Sequence, residues 1–247
     1  MWDETQRAAL ARIGEIDRQD AAATARRYVA MPYRDMLDAR PGETWQWHEA
    51  VGLGVFARHG RPSRPPVVRR QLAQVLSSLQ EEARTVAEGA RVAVPPATFA
   101  VEMVKISKRS VLVAGALAVG GWWQLREAED QLEATLFDEV GYLDHFADEL
   151  ASGQIVRDGR FVRRAMLYAA VGWSLYQVLR GRRAAARGYV EEQSVLDPGA
   201  EHCDECVAEA AREWQPVGSL VPVGDRQCRG NCRCFMRYRN GQGEIAE

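Results

Sequence analysis

The chain has 247 residues, 47% of them hydrophobic, and a formal net charge of -2. That length and apolar share suffice for one sizeable core, or a core with a small satellite, and the near-neutral balance demands neither a nucleic-acid nor a membrane partner. The first seven residues, MWDETQR, lack the basic-then-apolar layout of a secretory signal, so synthesis and retention in a cytoplasm are expected.

A first helix is predicted over residues 4–29, with Leu10, Ile13 and Ala21 inward and Arg12, Arg18, Arg26 and Arg27 outward. Pro32 and then Arg40-Pro41-Gly42 stop it. Residues 43–66 are irregular. Trp45, Trp47, His48, Phe56 and His59 sit among glycines, and Arg61-Pro62-Ser63-Arg64-Pro65-Pro66 follows, the composition of an arm or linker. The histidines here, and His145 further on, read as ordinary surface or core residues, and the tryptophans as packing anchors.

A second helix spans residues 68–92. Leu72, Leu76, Leu79, Ala83, Val86 and Ala90 recur at steps of four and three, a seam suited to packing against another helix. After Pro95-Pro96, a third helical region covers 99–123. It contains the longest apolar run, VLVAGALAVGGWW at 111–123. Such a run spans about 20 Å as a helix, against roughly 30 Å of bilayer core. With Lys105, Lys108 and Arg109 before it and Arg126 after it, it reads as a buried helix, not a stable membrane span.

Residues 127–150 hold nine acidic residues and no Lys or Arg, with Leu132, Leu136, Val140, Leu143, Ala147 and Leu150 as the buried stripe. A turn follows at Ser152-Gly153 and Asp158-Gly159. Residues 160–187 then form a basic helix of similar length, so the pair is expected to fold as a long αα-hairpin. Its arginines carry two readings. They face the acidic helix or solvent, or else Arg157, Arg160, Arg163, Arg164, Arg180, Arg182, Arg183 and Arg187 touch a nucleic-acid backbone.

No strand pattern is evident before residue 189. Short extended pieces are expected at 189–190 and 218–223. The fold class is therefore mainly α, in three parts: an N-terminal helix and aromatic arm (1–66), a helical body (67–188), and a small cysteine-rich module with little regular structure (189–247).

All five cysteines lie in that last part: Cys203, Cys206, Cys228, Cys232 and Cys234. Cys203-x-x-Cys206 has the spacing of one metal knuckle, and Cys228-x-x-x-Cys232-x-Cys234 offers the second half. A module this poor in large apolar residues is marginal by burial alone, whereas structural zinc contributes about 10–16 kcal/mol in small peptides. One structural zinc ion is expected, held by Cys203, Cys206, Cys228 and either Cys232 or Cys234, with His202 as a weaker alternative for the fourth place. Arg226, Arg229 and Arg233 are expected to help keep the thiolates ionised. The competing reading is disulfides, against which the odd cysteine count argues. No H-E-x-x-H, nucleophile elbow, P-loop or dinucleotide-binding pattern occurs, so no enzyme activity is expected.

The stretches EHCDEC at 201–206, WQPVGSLVPVG at 214–224 and QCRGNCRCFMRY at 227–238 resemble the C-terminal region of phage minor head proteins, the head-morphogenesis group similar to the F protein of phage Mu. The segment from Leu143-Asp144-His145-Phe146-Ala147 into the arginine-rich helix looks like what precedes that module in related prophage proteins. Many members place a histidine before the final C-R-C element; here Arg229-Gly230-Asn231 stands there, with Cys228 upstream. The resemblance implies a virion component of the head or portal region, made in the host cytoplasm and present in multiple copies. Its implied partners are portal or major capsid protein and packaged DNA. The residues themselves leave two other readings open, a zinc-dependent nucleic-acid-binding protein and a metal-dependent hydrolase.

Overall fold

The computed structural model describes residues 45–47, 56–58, 61–62, 65–92, 94–119 and 128–246. The predicted helix at 4–29, the Trp122-Trp123 pair, His48 and His59 lie outside the described residues.

The aromatic arm contains strands, contrary to the sequence expectation. β1 (Trp45–Trp47), β2 (Phe56–Arg58) and β3 (Arg61–Pro62) form an antiparallel sheet with Trp45 opposite Arg58 and Ala57 opposite Pro62. Aromatic residues favour strands, but pieces of two or three residues are too short to display an alternation.

The body is built around one helix. α1 (Pro65–Val92) starts on its prolines, whose missing N–H groups are tolerated in a first turn. α2 (Pro96–Val119) is buried on nearly every side from Ser110 to Val119, as small residues allow neighbours on all faces to approach. α3 (Glu129–Ala151), α4 (Gly159–Ala169) and α5 (Val171–Ala186) complete it. α3 and α5 pack mainly against α2, while α1 packs against both α2 and α4. No helix among the described residues is long and apolar enough to cross a membrane.

Along α1, Leu72, Leu76, Leu79, Ala83 and Ala90 are buried as the seam predicts, while Ala87 takes the fully buried position and Val86 packs at its edge. The centre of the body is a ring cluster: Phe99, Phe146 and Phe161 lie with centroids 5.3–5.4 Å apart, joining α2, α3 and α4. Asp158 caps α4 by accepting from the backbone N–H groups of Arg160 and Phe161.

α3 and α4 run antiparallel. The Phe146–Phe161 contact, the Tyr168 hydroxyl donating to Tyr142 O at 3.4 Å and the Arg164–Glu149 ion pair fix that direction. The expected single basic helix is broken at Ala170, so the second arm of the hairpin is two helices. At the break, Ser107 Oγ donates to Tyr168 O at 3.1 Å, and Ser110 Oγ accepts from Gly172 N at 3.0 Å.

The C-terminal module is more regular than its composition suggests. β4 (Tyr189–Val195), β5 (Gln215–Pro216), β6 (Phe235–Asn240) and β7 (Ile245–Ala246) form an antiparallel sheet in the order β5-β4-β6-β7. β4 pairs with β6 from Val195 opposite Phe235 to Tyr189 opposite Asn240. The strand expected at 218–223 is instead turn and irregular chain following β5. α6 (Asp204–Ala211) and a 3-10 turn at Arg229–Asn231 complete the module. β4, β6 and this turn all rest on α5, and the turn also meets α4.

Candidate metal centre

The knuckle at Cys203 and Cys206 is created by a helix start. Cys203 is the N-cap of α6 with an extended backbone, and Cys206 lies in the first turn. Three residues of helix bring both side chains to one side, and the positive end of the helix favours thiolates there. Cys228 caps the 3-10 turn and Cys232 ends it, with Asn231 N donating to Cys228 O at 3.1 Å and Cys232 N to Arg229 O at 3.0 Å. Cys234 immediately precedes β6, so the β4–β6 ladder sets its position.

Two carboxylates hold the pieces together. Glu205, in the first turn of α6, accepts from Gln227 N at 2.7 Å and so draws Cys228 to the knuckle. Glu209 is buried and accepts from Val221 N at 3.1 Å while paired with Arg212. Neither was legible as a positioning residue, because each partner is a backbone group 12 or more residues away.

The structure gathers all five cysteines. Their sulfurs form two triads, Cys203–Cys206–Cys228 and Cys206–Cys232–Cys234, each with its donor atoms within 4.8 Å of one another. Cys206 belongs to both, with its Sγ 3.4 Å from Cys228 Sγ and 3.5 Å from Cys232 Sγ. His202 lies at the far end, Nδ1 3.5 Å from Cys234 Sγ. Cys206, Cys232 and Cys234 are buried and Cys203 and Cys228 half-buried. All five thiols are free, and these separations are far longer than the about 2.05 Å of a disulfide, so the disulfide pairing weighed from the sequence is not formed.

Crowded thiols cannot all ionise together. Hydrogen bonding from Cys232 pulls Cys234 down to about 5 against the effect of burial. The same bond, with burial, holds Cys232 strongly protonated. Burial and then the contact with Cys228 push Cys206 up to about 12. Burial also raises Cys228. At Cys203 burial is outweighed by hydrogen bonds from Cys206 and Cys228, and the thiol is lowered. A bound cation reverses this balance by favouring every thiolate at once, so the donor set fits a thiophilic metal.

The arginines expected to help ionisation divide. Arg226 lies against Cys206 and lowers its pKa, though less than burial raises it. Arg229 faces Glu139 of α3, and Arg233 is exposed.

Beside the cluster, a groove of about 1290 Å³ runs between the first half of α1 and the module, passing Trp173, Cys232 and Phe235. Its carboxylates are engaged. Glu81 accepts from Arg84 Nε at 2.8 Å, and Asp197 accepts from Gly199 N at 3.0 Å.

The arginines read as a nucleic-acid footprint differ in exposure. Arg157, Arg160, Arg163 and Arg182 are exposed, while Arg164, Arg183 and Arg187 are half-buried. Arg164 pairs with Glu149 and lies 4.2 Å over the Phe146 ring, Arg157 donates to Ala90 O and Arg183 to Val119 O. Arg180 is fully buried, which removes it from any contact surface. An arginine-rich run reads as a solvated face, yet α5 turns this member inward beside Tyr176.

No family model, curated protein or solved structure matches this chain.

Proposed function

We propose that this chain is a structural protein of a phage virion, a minor head or head-morphogenesis component that associates with portal or inner capsid during head assembly, DNA packaging or delivery. The sequence resemblance over residues 190–239 supports the assignment. The observation that carries it is the convergence of all five thiols on one cluster, seated by β4, β6 and the 3-10 turn against the helical body.

Zinc is the proposed metal, since thiolate and imidazole donors suit it and it brings no redox chemistry. At least one ion is needed. A site whose positions are filled by protein sulfur acts as a staple, because catalytic zinc keeps an open position and a nearby base. The groove carboxylates, already hydrogen-bonded, do not supply that base. The chain therefore works through shape, with the metal fixing a rigid end-piece on a helical body. Packaged DNA would be met by Arg157, Arg160, Arg163 and Arg182, the exposed members of the basic set.

The test is co-expression with any portal and capsid proteins encoded in the same genome, followed by sedimentation at high salt. Co-migration with portal or capsid is expected. Two results would overturn the reading. One is no association, together with DNA binding by the isolated protein that falls steeply with salt, which would identify a nucleic-acid-binding protein. The other is hydrolytic turnover abolished by a single Cys→Ser change that leaves the fold intact.

A further inference from the structure

The geometry points to a two-ion cluster: we infer that the module binds two metal ions sharing Cys206 and Cys232 as bridging thiolates, rather than the single ion that the cysteine spacing suggests. The inference rests on the metal-binding reading above and refines it.

The sulfurs are arranged as two triads with a common corner at Cys206, not as one set of four around a centre. Cys206 is in contact with Cys228 on one side and Cys232 on the other, at 3.4 and 3.5 Å. Cys232 touches Cys206 at 3.5 Å, shares the second triad with Cys234, and closes the 3-10 turn that Cys228 opens. His202 Nδ1 extends the chain of donors past Cys234, at 3.5 Å.

Counting donors distinguishes the two arrangements. A tetrahedral ion takes four. A single ion at Cys203, Cys206, Cys228 and Cys232 would leave the buried Cys234 thiol and His202 beside a filled site. Two tetrahedral ions have eight positions, and two bridging thiolates fill four of them, so six side chains suffice. Five cysteines and one histidine are the donors in contact here. The first ion takes Cys203, Cys206, Cys228 and Cys232, and the second takes Cys206, Cys232, Cys234 and His202. Each thiol releases its proton on coordination. Sharing thiolates also limits the charge, because five thiolates against two divalent ions leave -1, whereas four against one leave -2.

The experiment is metal analysis of the full chain, purified under reducing conditions with zinc, by elemental analysis and native mass spectrometry. Two ions per chain are expected. After exchange with cadmium-113, two coupled resonances should appear, since a bridging thiolate transmits coupling between the ions. His202→Ala, at the edge of the cluster, should keep the fold and weaken the second ion alone, giving a stoichiometry that drops towards one on dilution. One ion in the unmodified chain, with Cys234 alkylated by iodoacetamide in the native metal-loaded protein, would overturn the two-ion cluster and leave the metal-binding reading standing. No retained metal would overturn both.

Discussion

Gly172 donates its backbone N–H to Ser110 Oγ at 3.0 Å, and a Cβ at position 172 would lie 2.6 Å from both the Ser110 carbonyl and its hydroxyl. Only glycine lets α5 come this close to α2. In an unbroken helix Gly172 N–H would face Tyr168 O, and at the break each of these groups is met by a serine of α2. Gly172→Ala is therefore expected to destabilise the body by about 1–3 kcal/mol through overpacking against backbone. Ser110→Ala should lower stability by a similar amount by leaving a buried donor unmet. Urea denaturation would check both, and a Gly172→Ala variant as stable as the parent would show that the two helices separate freely.

That contact explains what the sequence concealed. Residues 168–172 read Tyr-Ala-Ala-Val-Gly, with no proline to announce a break, and the serines that accommodate it lie about 60 positions earlier. The seam of α1 was legible because Leu72, Leu76 and Leu79 keep helical spacing over several turns. β6 was not. Its buried residues Met236 and Tyr238 alternate with arginines over only six positions, and its partner β4 lies 40 residues upstream. The cysteines were legible as a group because their confinement needs no geometry, but the sharing of Cys206 between two triads is a fact of three dimensions.

Arg226 and Arg180 are both fully buried, yet their surroundings differ. Arg226 donates to Val221 O from Nε at 2.9 Å and from Nη2 at 2.8 Å, and to Ser194 Oγ at 2.7 Å. It thus ties the loop before Cys228 to β4. Among the described residues the guanidinium of Arg180 has no hydrogen-bond partner, and it lies 5.6 Å from the Tyr176 ring centroid. Arg226→Met should lower stability by about 1–3 kcal/mol for each buried acceptor abandoned. Arg180→Met should be neutral or stabilising, since an apolar side chain of similar length removes a buried charge. Denaturation midpoints in the opposite order would contradict this contrast.

Metal removal should act on one part of the chain. The body contains the ring cluster of Phe99, Phe146 and Phe161, which joins α2, α3 and α4. On the proposed metal-bound reading, the cluster fixes α6 and the 3-10 turn against the sheet. A strong chelator under reducing conditions should therefore strip hydrogen-exchange protection from β4, α6 and β6 while α2 and α3 keep theirs. The helical circular-dichroism signal should fall only modestly. Collapse of the whole chain, or unchanged protection in the module, would show that the metal does not order this region.

Glu139 of α3 gives the molecule a pH dependence. Its Oε2 is buried with no hydrogen-bond partner among the described residues, and its pKa is raised to about 8, first by burial, then by repulsion from Asp138, with Arg229 of the module drawing it partly back. An unfolded chain releases that proton near the ordinary glutamate value of about 4.3. Between these two values the folded state holds a proton that the unfolded state does not, so stability falls as pH rises across that window. Below it both states are protonated and the effect vanishes; above about 8 the penalty is complete. Glu139→Gln cannot ionise and should melt at a higher temperature than the parent, with a gap that opens from pH 5 to 8 and then levels. Calorimetry of both proteins with saturating zinc would check it. Curves that stay parallel throughout would place the Glu139 carboxyl in solvent.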